Sequence, residues 1–207
     1  LSKWRIGSLI LLVAVAITGC SSSKPLFNGK NLDGWVEVGS DGAWSVQDGV
    51  LRCNGQASGY AWLSTTDKYG DYELQLDWRI PPEGNSGLFL RAPDREGRTS
   101  MEGFEVQIKD DRGEENLADV SGSVFMRILA RGKFSKPPGQ WNHFRIVCRG
   151  RHLMIELNGH KTVDAHMDEV EPLGDAAPMT QVPGTGYIGL QNHHCPVEFR
   201  NIRLREF

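Results

Sequence analysis

Apolar and polar residues alternate with a period of two along most of this chain, and no other feature limits its possible folds as tightly. Tyr72, Leu74, Leu76, Trp78 and Ile80 alternate with Glu73, Gln75, Asp77 and Arg79. An extended strand with that pattern has one face for a core and one for water. The pattern returns at Leu88 and Leu90, at Phe104, Val106 and Ile108, at Phe144, Ile146 and Cys148, and at Leu153, Ile155 and Leu157. Asn158-Gly159 then separates this last run from a strand near Lys161 to His166. Both residues of such a two-residue turn take positive φ, so the pair predicts a hairpin. After Val197 and Phe199 the phase slips, because Arg200 and Asn201 are both polar before Ile202 and Leu204 resume. A β-bulge accounts for the slip. Helical periodicity is confined to Met167–Leu173, enough for a turn or two. About a dozen short strands with Gly/Pro turns predict an all-β sandwich of two antiparallel sheets.

The N-terminus has another character. Lys3 and Arg5 precede an apolar run from Leu9 to Ile17, well short of the ~20 residues of a spanning helix and of the length of a secretory leader. Ile17-Thr18-Gly19-Cys20 resembles the lipobox of bacterial lipoproteins. That resemblance implies cleavage before Cys20, acylation of its thiol, and membrane attachment through the lipid. Ser21 to Pro25 then reads as a flexible tether. Ser21 is not the aspartate associated with inner-membrane retention, so the implied location is the outer membrane or periplasm. The expected organisation is a leader over 1–19, a lipidated cysteine and tether over 20–25, and one domain over 26–207.

Without the first 19 residues, 21 Lys and Arg stand against 26 Asp and Glu. No basic run is interleaved with aromatics, which argues against a nucleic-acid partner. Cys53, Cys148 and Cys195 match no zinc spacing. Outside the cytoplasm one pair could form a disulfide with a thiol left over. Cys148 continues an apolar row and reads as a buried thiol.

Three polar sets fall on faces opposite the apolar rows: Asn85-Ser86-Gly87 with Arg91, Glu105 and Gln107 with Asp110, and Gln191-Asn192-His193-His194. Residues two apart on a strand share a face, ~6–7 Å from one another. Amides, His and Arg beside glycines suit the gripping of sugar hydroxyls. Trp78 and Trp141 read first as packing, with Trp141 also a candidate sugar platform. A retaining glycosidase needs two carboxylates ~5–5.5 Å apart. Laminarinase-type sandwiches place them as Glu-x-Asp-x-Glu on one strand, whereas Glu105-Val106-Gln107-Ile108-Lys109 carries an amide and a lysine there. Ordinary double-displacement hydrolysis is therefore not expected.

The whole domain resembles one family. The motifs that carry the resemblance are Leu26 to Trp35, Trp44 with Asp48 to Leu51, Asn85 to Arg91, Gly103 to Asp110, Gly139 to Asn142, Leu157 to Gly159, Gly189 to His193 and Val197 to Ile202. In that order they are similar to the 3-keto-disaccharide hydrolases, also described as 3-keto-glucoside 1,2-lyase and 3-keto-2-hydroxyglucal hydratase domains. The resemblance implies a concanavalin A-like jelly roll and elimination chemistry on a glycoside already oxidised at carbon 3, so a sugar 3-oxidoreductase is an implied pathway neighbour. The ketone acidifies the proton on carbon 2, and its removal gives an enediolate that expels the aglycone. Water then adds to the resulting hydroxyglucal. Such a site needs a base, an oxyanion stabiliser and groups that hold hydroxyls.

On this reading His193 is the first choice for base and acid, because imidazole titrates near neutrality. Glu105 is the alternative base, or a ligand for a divalent ion that polarises the ketone. Arg91 would stabilise the enediolate or fix the sugar. Gln107, Gln191 and Asn142 would hold hydroxyls, Trp141 would contact the substrate, and Asp110 would orient a neighbour or help bind the metal. The alternative function is a lectin-like glycan-binding module.

Overall fold

A computed structural model describes residues 22–173 and 176–207. The leader and Cys20 lie outside the described residues. Thirteen strands run in chain order: β1 (Lys24–Pro25), β2 (Trp35–Val38), β3 (Trp44–Gln47), β4 (Val50–Cys53), β5 (Ala61–Thr65), β6 (Tyr72–Arg79), β7 (Asn85–Ala92), β8 (Phe104–Lys109), β9 (Asn142–Arg149), β10 (His152–Leu157), β11 (His160–His166), β12 (Tyr187–Asn192) and β13 (Val197–Glu206). One turn of helix, α1 (Thr99–Glu102), precedes β8. No helix among the described residues is long and apolar enough to cross a membrane.

The strands form two sheets. The larger runs β11-β10-β9-β6-β13-β4-β3, with β1 also on β13, and the smaller runs β2-β5-β12-β7-β8. Every named strand pair is antiparallel. The core lies between them and takes the apolar rows read from the sequence, including Leu74, Leu76, Trp78, Leu88, Leu90, Phe104, Val106, Ile108, Phe144, Ile146 and Cys148. This is the sandwich of two antiparallel sheets that the alternation predicts, and the jelly roll that the family resemblance implies.

Two irregularities show how local backbone sets side-chain direction. Asn158 and Gly159 have φ of 53° and 81°, as the hairpin requires. The β13–β6 register shifts between Arg200 and Arg203, and Asn201 has φ of 54°, so the phase slip is a bulge. Met167–Leu173 yields only a 3-10 turn at Met167–Glu169. Strand β5 shows no alternation because both its faces are covered. Cys53, Cys148 and Cys195 are free thiols, so the disulfide allowed by the cysteine count is not formed.

Candidate active site

The smaller sheet has a second apolar layer on its outer face. Trp62, Phe89 and Ala92 are fully buried there, apart from the main core. Trp62 meets Phe89 edge to face at 5.7 Å, and the half-exposed ring of Tyr60 stacks on Phe89 at 5.5 Å. Glycine makes this layer possible, since a Cβ on Gly189 would lie 2.2 Å from the Trp62 ring.

Beside these rings the same face carries polar side chains. On β8 the inward positions are Phe104, Val106 and Ile108, so Glu105 and Gln107 point outward. Cross-strand pairing sets Phe89 opposite Glu105 and Gly87 opposite Gln107. On β12, Leu190 pairs Leu88 and Gln191 pairs Trp62. Continuing that register by one residue brings Gln191 alongside Gly87. Gly87 thus lies between two amides, and the Glu105 side chain leans over it. A Cβ there would meet the Glu105 carboxyl at 2.3 Å. His193 follows the end of β12, where Asn192 Oδ1 accepts the His194 N–H at 3.2 Å and starts the turn.

Glu105, Gln107, Gln191 and His193 line one cavity of about 180 Å³, with Tyr60, Asn85, Arg98, Ser100 and Phe125. Its floor is dry: Glu105, Gln107 and Gln191 are 4%, 3% and 6% exposed. His193 and Arg98 stand at the exposed rim. Burial is the largest influence on the Glu105 carboxyl, and it raises the pKa from 4.5 to about 8. The Gln191 amide opposes the rise, nearby Asp119 adds to it, and Arg98 opposes it. Glu105 is therefore a neutral acid at pH 7. The oxygens Oε1 of Gln107 and Gln191 are buried and have no hydrogen-bond partner.

The rim is held by a buried cation. Arg127, 2% exposed, donates to the carbonyls of Gly103 and Met101, and to Ala177 O at 3.1 Å. This secures the segment carrying α1, Arg98 and Ser100. The Ser100 N–H in turn donates to the Tyr60 hydroxyl at 3.1 Å.

Four residues expected at the site are placed elsewhere. Arg91 lies in a β7 bulge: Ala92 and Phe89 pair Tyr187 and Gly189, so three steps on one strand match two on the other. With φ of 52°, Arg91 turns away from this face, and its guanidinium reaches Gly70 O at 3.3 Å and Asp71 at 3.5 Å. Asn142 is buried on the larger sheet, where its Oδ1 accepts from Lys136 N and Asn158 Nδ2. Trp141 lies between the Arg79 and Arg200 guanidinium groups, 4.6 and 4.1 Å from its centroid. Asp110 is held by Arg112 at 2.8 Å and accepts the Glu83 N–H at 2.9 Å. The Arg112 guanidinium keeps its carboxyl well below the usual carboxylate range. Glu105 and Asp110 therefore do not form a ligand pair, and among the described residues no three His, Cys, Asp or Glu converge to hold a metal.

Tyr60, Arg98, Ser100 and Phe125 escaped the sequence reading because they lie off the strands, where no periodicity marks a face. A second cleft, between Arg79, Pro81, Gly139 and Pro196–Glu198, is apolar. Its one carboxylate, Glu198, is engaged by Arg52 and Arg79.

The packing at Gly87 yields a test. Gly87→Ala is expected to displace the Glu105 carboxyl and lower turnover at least about tenfold. The melting temperature should fall as well, because Glu105 is buried and its Cγ and Cδ, not only its carboxyl oxygen, would have to move. A large loss of stability with unchanged turnover would contradict this placement.

Comparisons with known proteins agree with this picture. Residues 22–205 match the sequence family described as the 3-keto-alpha-glucoside-1,2-lyase-like domain. A 3-keto-disaccharide hydrolase of Bacteroides thetaiotaomicron is 26% identical over 223 aligned positions, covering 87% of this chain and 77% of the relative. A crystal structure of a Parabacteroides distasonis protein, provisionally described as a glycosyl hydrolase, superposes with a TM-score of 0.78. It is 31% identical, with 90% of this chain and 100% of that one covered. The carbohydrate-binding module CBM66 of Bacillus subtilis, at 16% identity and TM-score 0.57 over 84% of this chain and 96% of its own, shares the fold.

Proposed function

Because this chain belongs to the 3-keto-alpha-glucoside-1,2-lyase-like family and is a glycoside-cleaving enzyme, we propose that it splits 3-keto-glucosides by elimination across carbons 1 and 2 and hydrates the product. The observation that carries the reading is Glu105, a carboxylic acid kept neutral near pH 7 at the bottom of a cavity with a histidine at its mouth. A binding module gains nothing from burying a carboxyl at that cost. A cavity of about 180 Å³ is smaller than the ~300–1,000 Å³ of drug-sized ligand sites, and suits one sugar ring with its aglycone outside.

His193 takes the proton from carbon 2. The electron pair moves onto the carbon-3 oxygen, where the protonated Glu105 carboxyl donates a hydrogen bond to the developing enediolate. A neutral carboxylic acid can donate in this way, whereas a carboxylate cannot. Arg98 lines the same cavity and supplies the positive charge that Arg91 does not bring to it. The enediolate collapses, the bond from carbon 1 to the aglycone oxygen breaks, and the imidazolium returns the proton to that oxygen. Water then adds across the hydroxyglucal, its hydroxyl to carbon 1 and its proton to carbon 2, giving the 3-keto sugar. The polar floor and aromatic walls hold the ring while this happens.

The test is incubation with methyl 3-keto-α-glucoside and with unoxidised methyl α-glucoside, following methanol release. Release from the keto sugar alone is expected. Release from both would point to ordinary hydrolysis, and release from neither would overturn the reading. His193→Ala should lower turnover about 10²-fold or more. The rate should fall as pH rises through about 8, where Glu105 loses its proton. We also propose, from the lipobox-like segment, that the domain is anchored through Cys20 to the envelope; mass spectrometry of the mature N-terminus would show the acyl chain or its absence.

A further inference from the structure

Asp119 does not line the cavity, but it is hydrogen-bonded to Gln107, which does. Its Oδ1 accepts a hydrogen bond from Gln107 Nε2 at 2.9 Å. Its Oδ2 pairs with the Lys109 ammonium, which also reaches Glu114 at 3.1 Å. The loop that carries Asp119 is tied to β8, because Gly122 N donates to Gln107 O at 2.9 Å and Gln107 N to Ser123 O at 3.0 Å. Asp119 N donates to Asn116 O at 2.9 Å, closing a turn within the loop.

An amide side chain has two nearly isosteric ends, and its hydrogen-bond partners decide which way it points. A carboxylate only accepts, so Asp119 takes the NH₂ of Gln107. The other end, Oε1, is left buried in the cavity wall without a partner. The reverse orientation would set oxygen against carboxylate. Across Gly87, the Gln191 Oε1 is likewise without a partner, and the Gln191 amide lies close enough to Glu105 to favour its ionised form. Two unpartnered oxygens, each able only to accept, thus belong to side chains that line the cavity.

We propose that Asp119 is a specificity-determining positioning residue: it locks the Gln107 amide oxygen toward the cavity, so that the bound sugar must offer a hydroxyl donor there. The proposal rests on the sugar-binding reading of this cavity but not on the reaction. A ligand lacking that hydroxyl leaves a buried acceptor unsatisfied, which weakens binding about 10- to 100-fold.

Asp119 has a second effect that can be read separately. The ionisable groups facing Glu105 are Asp119, Arg98, Tyr60 and His193, with the Gln191 amide beside them. Among these, the negative charge of Asp119 favours the protonated form of Glu105. Its removal moves Glu105 ionisation, and with it the alkaline fall of the rate, to lower pH.

The experiment compares wild type, Asp119→Asn and Asp119→Glu by calorimetric binding of methyl α-glucoside and its 4-deoxy and 6-deoxy analogues. Turnover of methyl 3-keto-α-glucoside is measured in parallel across pH. Wild type is expected to bind at least one deoxy sugar about 10- to 100-fold more weakly. Asn at 119 can donate as well as accept, so Gln107 is free to turn and discrimination should fall below about tenfold. Asp119→Glu should restore part of it, and Asp119→Asn should shift the alkaline limb downward. Discrimination equal in wild type and Asp119→Asn would overturn the proposal, as would failure of the protein to bind any of the sugars. Discrimination that depends on Asp119 without turnover of the keto sugar would uphold the proposal and sink the reaction.

Discussion

Glu105→Gln is expected to lower turnover of a 3-keto-glucoside about 10- to 100-fold, because the acidic O–H that donates to the developing oxyanion is replaced by the weaker N–H donor of an amide. The same substitution should make the protein more stable, increasingly so as pH rises. In the folded chain Glu105 holds its proton up to about pH 8 against an ordinary value of 4.5. The sign follows from linkage, since between those values the native state binds the proton and the unfolded state has released it. Wild-type stability is therefore undiminished below about 4.5, declines with rising pH, and reaches its full loss above about 8. That span corresponds to roughly 4–5 kcal/mol. For a chain of this size it is on the order of 10 °C in melting temperature. The glutamine variant carries no such proton, so its advantage over wild type should widen from pH 5 to pH 8 and then level off. Thermal melts at pH 5, 7 and 9 measure this. A constant gap would mean that Glu105 is not buried as a neutral acid. Gain of stability with loss of function is what a group held in an unfavourable environment for chemistry should show.

Trp62→Ala is expected to cost about 3–5 kcal/mol, as for other fully buried tryptophans. Trp62 is completely inaccessible and rests on Gly189 with its edge toward Phe89. Gly189→Ala attacks the same contact from the opposite side. Its methyl would sit 2.2 Å from the ring, and an enclosed ring cannot withdraw, so roughly 1–3 kcal/mol or more is lost to overpacking. In the double variant the new methyl enters the space left by the ring. The pair should then be less destabilised than the separate effects imply, by more than about 0.5 kcal/mol. Chemical denaturation of the three variants gives the coupling, and strict additivity would show that the two residues do not share this contact. Function should follow packing: Trp62 supports Phe89, on which Tyr60 stacks, and pairs with Gln191. Trp62→Ala should therefore also raise KM.

Much of the site was legible because it lies on regular strands. Once Phe104, Val106 and Ile108 are assigned to the core, Glu105 and Gln107 must share the opposite face. Leu190 fixes Gln191 in the same way. That three strands separated in sequence lay these faces side by side depends on sheet order, which alternation does not encode. Arg91 shows the limit most clearly, since by parity it belongs with Phe89 and Gly87. A single extra residue in β7 reverses its direction and sends the guanidinium to Gly70 and Asp71. The loop residues Arg98, Ser100 and Phe125 reach the cavity only because Arg127 and the edge of β8 hold their segments down.

The sequence by itself determined the two-sheet sandwich, its principal hairpin, the bulge near Asn201, and the absence of a paired-carboxylate glycosidase motif. All of these follow from local periodicity, turn chemistry and residue identity. Tertiary structure alone decided which polar residues meet, that Glu105 is dry enough to keep its proton near neutrality, and that Asp119 orients Gln107. Burial and hydrogen-bond direction are properties of neighbours distant in the chain, and only the packed sheets bring those neighbours together.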